Sequence, residues 1–221
     1  MSAELHPAVP KILVLGIGNL LWADEGFGVR CVEALHQGWQ LPPQVTLMDG
    51  GTQGLYLLPY VQEADCLLVF DAVDYGDPPG TLREVVGDQV PRFMGAKKMS
   101  LHQTGFQEVI AAAGFTGQLP RELVLIGVQP EELEDYGGSL RPLVKARIPA
   151  ALELALQWLG RWGAQPQARA PGETPDGAAA PYLGDASLAM DCYEAQRPDA
   201  LAAWRVGDPR FLNIRDQAEE S

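Results

Sequence analysis

Residues 11–26, KILVLGIGNLLWADEG, decide the fold. Their first seven residues form an apolar run without polar alternation, which is typical of a strand buried on both faces in a parallel sheet. The loop after this run ends in Asp24 and Glu25, and residues 26–37 then place apolar side chains at helical spacing. A strand, a loop and a helix in this order predict the first unit of an α/β fold.

Further apolar runs predict the rest of the sheet and the helices that cover it. A short strand is predicted at 44–48, buried strands at 66–70 and 122–128, and an edge or antiparallel strand at 81–86. Helices are predicted at 55–61, 104–113 and 141–161. This order of elements predicts a three-layer α/β/α sandwich with a mostly parallel, twisted sheet of roughly five strands.

Two of the predicted helices carry more specific signals. Thr104 and Gln107 match a capping box, which predicts that a helix begins at Thr104 and runs to Gly114. Within 141–161 an apolar face is predicted to point inward, and it consists of Leu143, Ile148, Leu152, Leu156 and Leu159.

Composition divides the chain into four parts. We expect a disordered N-terminus at 1–10, the α/β domain at 11–162, a Pro/Ala/Gly-rich linker at 163–181 and a loosely attached tail at 182–221. The first ten residues lack the basic and apolar regions of a signal peptide, and no apolar run reaches the ~20 residues that span a bilayer. These features predict a soluble, cytoplasmic protein that has no membrane partner.

The formal net charge of −13 makes nucleic acid an unsuitable partner, because an acidic chain is repelled by phosphate backbones. The three cysteines, Cys31, Cys66 and Cys192, form no CxxC pair and no metal-ligand cluster. Cys31 and Cys66 fall inside a predicted helix and a predicted strand, so we expect them to pack in the core rather than to act as nucleophiles.

Acidic residues follow three of the predicted strands. Ligands of open α/β sheets bind beyond the carboxyl ends of the strands, and here Glu25, Asp49 and Asp71 occur near such ends. His102 lies in the loop before the predicted helix at Thr104, whereas His36 is expected to be a solvated cation at a helix end. Two carboxylates and one imidazole, from Glu25, Asp71 and His102, suit a borderline divalent metal such as nickel, zinc, iron or manganese.

Each candidate also has a structural interpretation. Asp24 can be the N-cap of the first helix, Glu25 a first-turn acid, Asp71 the acceptor of the DAVDYG turn, His102 a structural residue, and Asp49 the residue that orders the GGTQG loop.

A dinucleotide-binding oxidoreductase is a competing hypothesis, since Gly16 and Gly18 resemble the start of GxGxxG. Leu21 occupies the third glycine position, where it would crowd the approach of helix and strand. Asp24 and Glu25 would repel a pyrophosphate at the start of the helix. Both features count against this hypothesis.

Several stretches together resemble the hydrogenase maturation endopeptidase family over residues 11–162. They are LVLGIGNLLWADEGFGVR, DGGTQG, FDAVDYG, KKMSLHQTGFQEV and LIGVQPEELEDYGGSL. The stretch SLAMDCYE in the tail more weakly resembles the subgroup that serves membrane-bound uptake hydrogenases.

The resemblance implies that Glu25, Asp71 and His102 are the metal-contacting residues. It also implies that the metal is nickel, already inserted in the partner, which is the precursor of a nickel-iron hydrogenase large subunit. The protein would then need no permanently bound metal or organic cofactor. It would cut the precursor shortly after its C-terminal nickel-binding cysteine motif.

On this hypothesis Asp49 or Asp24 is the general base. The segment that follows Asp49 contacts the substrate, and its residues are Gly50, Gly51, Thr52, Gln53 and Gly54. Two alternatives stay open, an ordinary metallohydrolase with its own zinc and a non-enzymatic nickel-binding module. The absence of an exposed heptad favours a monomer.

Overall fold

The structure is a computed structural model that describes residues 9–94, 101–175, 182–184 and 188–196, with side chains described throughout except at 92–94, 101–104 and 196. The predicted N-terminus at 1–10, the linker at 163–181 and the tail at 182–221 therefore fall partly outside the described residues.

A five-stranded sheet forms the centre of the fold. Its strands are β1 (Ile12–Ile17), β3 (Val45–Gly51), β4 (Cys66–Ala72), β5 (Leu82–Val86) and β6 (Glu122–Val128); β2 (Trp39–Gln40) and β7 (Gln167–Ala168) form a separate two-stranded sheet. The order across the large sheet is β3-β1-β4-β6-β5, in which only the β5–β6 pair is antiparallel. The predicted mostly parallel sheet and the antiparallel edge strand at 81–86 are confirmed.

Seven helices are described, together with short 3₁₀ turns at Ala23–Gly26 and Gly54–Leu57. They are α1 (Phe27–Gly38), α2 (Leu58–Glu63), α3 (Gln89–Met94), α4 (Leu101–Phe115), α5 (Pro142–Lys145), α6 (Ile148–Arg161) and α7 (Met190–Gln196). None of the helices in the described ranges is long and apolar enough to cross a bilayer.

Two apolar clusters lie on opposite faces of the sheet. Alternate residues of each strand enter different clusters, as in β1, where Val14 joins one cluster and Leu15 the other. Buried residues of α1 and α6 complete the first cluster, and those of α2, α3 and α4 complete the second. The arrangement is the predicted three-layer α/β/α sandwich.

Two predicted helix boundaries are wrong. Helix α4 begins at Leu101, so Thr104 lies inside its first turns and the predicted capping box at Thr104 and Gln107 does not form the N-terminus. The helix predicted at 141–161 is divided into α5 and α6, because Pro149 near the start of α6 cannot donate the hydrogen bond that would continue the earlier helix. Leu143 is consequently 41 % exposed rather than inward-facing.

The predicted linker makes ordered contacts that composition did not indicate. Its residues Gln167 and Ala168 pair with Gln40 and Trp39. Arg169 then donates from its backbone to the carbonyl of Gly38 and from its side chain to the carbonyl of His36. Partial burial and the nearby Arg169 lower the pKa of His36, so the prediction of a solvated cation is wrong.

Candidate functional site

The turn that carries Glu25 is held close to β1 by glycines. A side chain on Gly28 would lie 2.2 Å from the carbonyl oxygen of Phe70 and 2.3 Å from that of Ile17. Gly18, at φ +140°, leaves room for the carbonyl of Glu25, which lies where a Cβ would be. These close approaches bring the start of α1, and the 3₁₀ turn before it, over the carboxyl ends of β1 and β4. Glu25 is buried there and precedes α1 rather than lying in its first turn.

Asp71 is fully buried near the carboxyl end of β4. Strand alternation places it on the face of Leu67 and Val69, the face that α4 covers. The ring of Tyr75 folds back over Gly127, the β6 partner of Asp71. Burial and the charge of Asp71 both raise the pKa of Tyr75 well above its usual value, so the hydroxyl keeps its proton beside this carboxylate.

Asp24 anchors a loop. Its Oδ2 accepts backbone hydrogen bonds from Glu131 (2.8 Å) and Glu132 (2.9 Å), and its Oδ1 accepts one from Arg141 (2.7 Å). The side chain is fully buried. The N-cap of α1 is Gly26, with no side-chain capping bond, so the N-cap interpretation of Asp24 is wrong. Three backbone bonds on one buried carboxylate give Asp24 a structural role at the edge of the site.

His102 lies in the first turn of α4 rather than in a loop before it. The structure describes the backbone of His102 but not its side chain. One turn further along α4, Gly105 packs against Gly54. A Cβ added to Gly105 would lie 3.3 Å from the Cα of Gly54. Gly54 directly follows the DGGTQ segment, so the start of α4 lies at the carboxyl edge of the sheet, with Glu25 and Asp71.

Asp49 lies within β3, which extends to Gly51 and is longer than predicted. The carboxyl group is half-buried and faces α1, where burial raises its pKa while the Gly51 amide and the Arg30 guanidinium lower it. The Gly51 carbonyl accepts a 3.1 Å bond from the Gly18 amide, which links this segment to the Glu25 turn. Gln53 Nε2 donates to the Asp49 carbonyl.

The remaining candidates of this segment differ in exposure. Thr52 and Gln53 are exposed, Gly51 and Gly54 are partly exposed, and Gly50 is buried against Ile17 and Leu15. Gly51 and Gly54 both have positive φ. The segment thus presents polar backbone and side-chain groups of 51–54 to solvent at the carboxyl edge.

Gln129 is a positioning residue that sequence analysis did not identify. Its buried Oε1 accepts hydrogen bonds from the amides of Tyr75 (2.7 Å) and Asp77 (3.2 Å), and its Nε2 donates to Asp74 Oδ1 (3.0 Å). It thereby fixes the turn that follows Asp71. The only sequence signal was its place immediately after β6, at the same edge of the sheet.

Cys31 and Cys66 offer no nucleophile at this edge. Cys31 and Cys66 are buried in the core, as predicted. Burial raises the pKa of Cys31, and raises that of Cys66 to about 11, so both remain protonated and weakly nucleophilic near neutral pH.

The backbone therefore brings Glu25, Asp71 and His102 to one edge of the sheet, with Asp49 on the opposite face of the sheet from Asp71. Among the described side chains, which do not include that of His102, no three His, Cys, Asp or Glu residues lie close enough to hold a metal ion. Whether the imidazole of His102 completes such a group stays a prediction.

Comparisons with known proteins agree on one family. The model of the family described as "HycI: Hydrogenase maturation protease" matches residues 29–158. The hydrogenase expression/formation protein HoxM of Azotobacter vinelandii is 62 % identical over 203 residues, which cover 92 % of this chain and 95 % of that protein. A match of that extent necessarily includes residues 182–196.

More distant relatives match a smaller share of the chain. The hydrogenase 2 maturation protease of Escherichia coli K12 is 44 % identical over 156 residues, or 70 % of this chain and 94 % of that protein. Among solved structures, the hydrogenase maturating endopeptidase HybD from E. coli superposes with a TM-score of 0.69 at 42 % identity, covering 72 % of this chain and 98 % of that one.

Proposed function

Because the chain belongs to the hydrogenase maturation protease family, we propose that it removes the C-terminal extension from the precursor of a nickel-iron hydrogenase large subunit. Family membership makes the chain a peptide hydrolase and overrules the dinucleotide-binding hypothesis. The observation that supports the site assignment is the meeting, at one sheet edge, of the Glu25 turn, the Asp71 strand end and the first turn of α4 that carries His102.

Nickel borne by the substrate is the recognition element in this proposal. Glu25, Asp71 and His102 supply two carboxylates and an imidazole, a set of ligands that suits a borderline divalent ion and leaves coordination positions for groups of the precursor. Their contact with the ion places the scissile peptide in the crevice. A precursor without nickel lacks this contact and binds weakly.

The exposed 51–54 segment holds the peptide chain beside Asp49. A nickel-polarised carbonyl is attacked by water, Asp49 accepts the proton of that water, and the proton passes to the leaving amine as the peptide bond breaks. Asp49 suits this role better than Asp24. Asp49 is half-buried with a raised pKa, whereas both oxygens of Asp24 are occupied by backbone amides.

Exposed apolar side chains near the Asp49 segment and near the Asp24 loop support a protein substrate. Leu55 and Tyr56 follow the 51–54 segment and are 53 % and 84 % exposed, and Leu21 and Tyr136 lie exposed on the loops beside Asp24. Tyr136 stacks edge-on against Trp22 at 5.2 Å, which fixes that side of the opening. Apolar groups around a polar cleft are typical of a surface that binds a polypeptide.

Mass spectrometry of a nickel-loaded large-subunit precursor after incubation with the purified protein tests the proposal. We expect a shortened precursor and one released C-terminal peptide. Precursor that binds but keeps its mass would instead favour a non-enzymatic nickel-binding module. Stoichiometric zinc in the purified protein, with equal cleavage of nickel-free precursor, would favour an ordinary metallohydrolase.

We also propose that the protein acts as a monomer in the cytoplasm. The formal net charge of −13 supports the monomer, because a net charge far from zero keeps proteins soluble and apart. Sedimentation of the purified protein checks the monomer, since a dimer would sediment with twice the mass.

A further inference from the structure

The C-terminal segment, of which the structure describes residues 182–184 and 188–196, packs beside the Asp49 strand at the outer edge of the sheet. Tyr182 forms a parallel bridge to Met48, and its carbonyl accepts a 2.9 Å hydrogen bond from the Asp49 amide. Gly184 follows, and a side chain there would lie 3.3 Å from Asp49 Oδ2. The segment thus bonds to the backbone of Asp49 and lies near its carboxyl group.

The same segment reaches α1 through Arg30, which is only 3 % exposed. Arg30 Nη1 donates to both carboxylate oxygens of Glu33, at 3.0 and 2.8 Å, and to the carbonyl of Leu188. The ring of Tyr193, on α7, lies 5.5 Å from the guanidinium carbon. A buried guanidinium without such partners would be strongly destabilising, so these contacts fix its position.

A second attachment holds α7 from the other side. Glu194 accepts hydrogen bonds from Lys145 Nζ, at 3.0 and 2.8 Å, and from Ser139 Oγ at 2.7 Å. Ser139 belongs to the loop that Asp24 anchors through Arg141. The C-terminal segment therefore ties the strand of Asp49 to the loop on the Asp24 side of the site.

We infer that the C-terminal segment, through residues 182–184 and 188–196, acts as a clasp that holds the Asp49 strand in place for peptide hydrolysis. Arg30, which is buried against this segment, is a positioning residue that anchors the clasp to α1. The inference rests on the proposed function and deepens it. It gives a role to a segment shared with the relatives that match over nine-tenths of the chain.

The charged groups around Asp49 affect the pH at which its carboxyl group ionises, which gives a test of the inference. The described charged or titratable groups on this side of Asp49 are Arg30 and Glu33 of α1, with Tyr193 and Glu194 of α7 facing Arg30. Arg30 lowers the pKa of Asp49, whereas the Glu33 and Asp49 carboxylates repel each other. Neutralising Arg30 and neutralising Glu33 should therefore shift the pH dependence of cleavage in opposite directions.

The experiment measures single-turnover cleavage of nickel-loaded precursor from about pH 5 to 8.5 with the full chain. In Arg30→Gln we expect the acid limb to move up by about one pH unit, the size typical of losing one adjacent opposite charge. Glu33→Gln should move the limb down. Arg121→Gln, which removes an exposed arginine at the amino edge of the sheet, should leave it in place.

Hydrogen exchange at the Asp49 amide supplies a second readout, because this amide is bonded to Tyr182. Arg30→Gln should speed its exchange at least about tenfold, since the clasp loses its buried anchor. Should Arg30→Gln fail to fold, Glu33→Gln, at a less buried position, still tests the direction of the shift.

Different outcomes would contradict the proposed peptidase function and the positioning role of Arg30. Wild-type protein that leaves the precursor intact would end the proposed function itself. Wild-type cleavage with the same acid limb in wild type, Arg30→Gln and Glu33→Gln would overturn the positioning role of Arg30 and leave the proposed function standing.

Discussion

The carboxyl groups of Asp49 and Asp71 lie on opposite faces of the central sheet, although both occur near the carboxyl ends of parallel strands. Asp49 shares the face of Leu47 with α1, and Asp71 shares the face of Val69 with α4. In the proposed function, a peptide bound beyond these strand ends would pass between the two carboxyl groups. The proposed metal contact is therefore on the α4 side, and the proposed base is on the α1 side.

Asp24→Ala should destabilise the fold rather than remove a catalytic group. It leaves three backbone amides around a buried site without their acceptor, at about 1–3 kcal/mol for each buried group left unsatisfied. Urea unfolding should show a loss of at least about 2 kcal/mol. Unchanged stability combined with lost cleavage would make Asp24 part of the chemistry.

Asp49→Asn should slow cleavage about 10²–10⁴-fold, the range expected when a general base is removed. The amide keeps the size of the side chain and can still accept the Gly51 hydrogen bond, so the fold should persist. Asp65→Asn, at the opposite edge of the sheet, is the matched control and should cleave normally. A fully active Asp49→Asn would remove Asp49 from the mechanism.

The stability of Asp49→Asn should depend on pH in a defined direction. Burial raises the pKa of Asp49 in the folded state, so its ionised form opposes folding above that pKa. As the pH falls through the folded pKa, the folded chain takes up a proton and this opposition is lost. The variant should therefore gain more stability relative to wild type at pH 8 than at about pH 4. A larger gain at pH 4 than at pH 8 would show that the folded protein stabilises the ionised Asp49 carboxylate.

Gly28→Ala should damage both fold and activity. The added methyl group would meet the carbonyl oxygens of Phe70 and Ile17, which forces α1 away from the sheet and moves the Glu25 turn with it. We expect a loss of roughly 1–3 kcal/mol in urea unfolding and a large loss of cleavage. Gly38→Ala, at the open end of α1, is the control and should leave both unchanged. Equal behaviour of the two variants would contradict the close-packing argument.

The sequence predicted the elements whose signals are local. The apolar runs at 11–17, 66–70 and 122–128 are buried strands in the structure. A strand buried on both faces is apolar along its whole length, so a continuous apolar run predicts it directly. The helix start predicted at Thr104 is wrong, because Thr104 and Gln107 also occur within a helix and so do not by themselves mark its first residue. The apolar spacing at 141–161 predicts one helix, whereas Pro149 separates two helices because it lacks a backbone donor.

The candidate site was predicted in part. Ligands of open α/β sheets bind beyond the carboxyl ends of the strands, which predicts that Asp71 and the turn of Glu25 lie at one edge. It does not predict which face of the sheet each side chain occupies. The loop anchored by Asp24 and the network around Arg30 depend on contacts between residues more than a hundred positions apart, which no local pattern reveals. The contacts of residues 182–184 and 188–196 are equally long-range, so composition predicts only a loosely attached tail there.

We propose that Glu25, Asp71 and His102 together bind the nickel carried by the precursor. Calorimetric binding of nickel-loaded and nickel-free precursor to the Asp49→Asn protein tests it without turnover, with His102→Ala added to Asp49→Asn as the ligand variant and His36→Ala as its control. The loaded precursor should bind at least about 100-fold more tightly, and only His102→Ala should abolish that advantage. Equal affinity for both forms of the precursor, or an advantage that survives His102→Ala, would contradict the account.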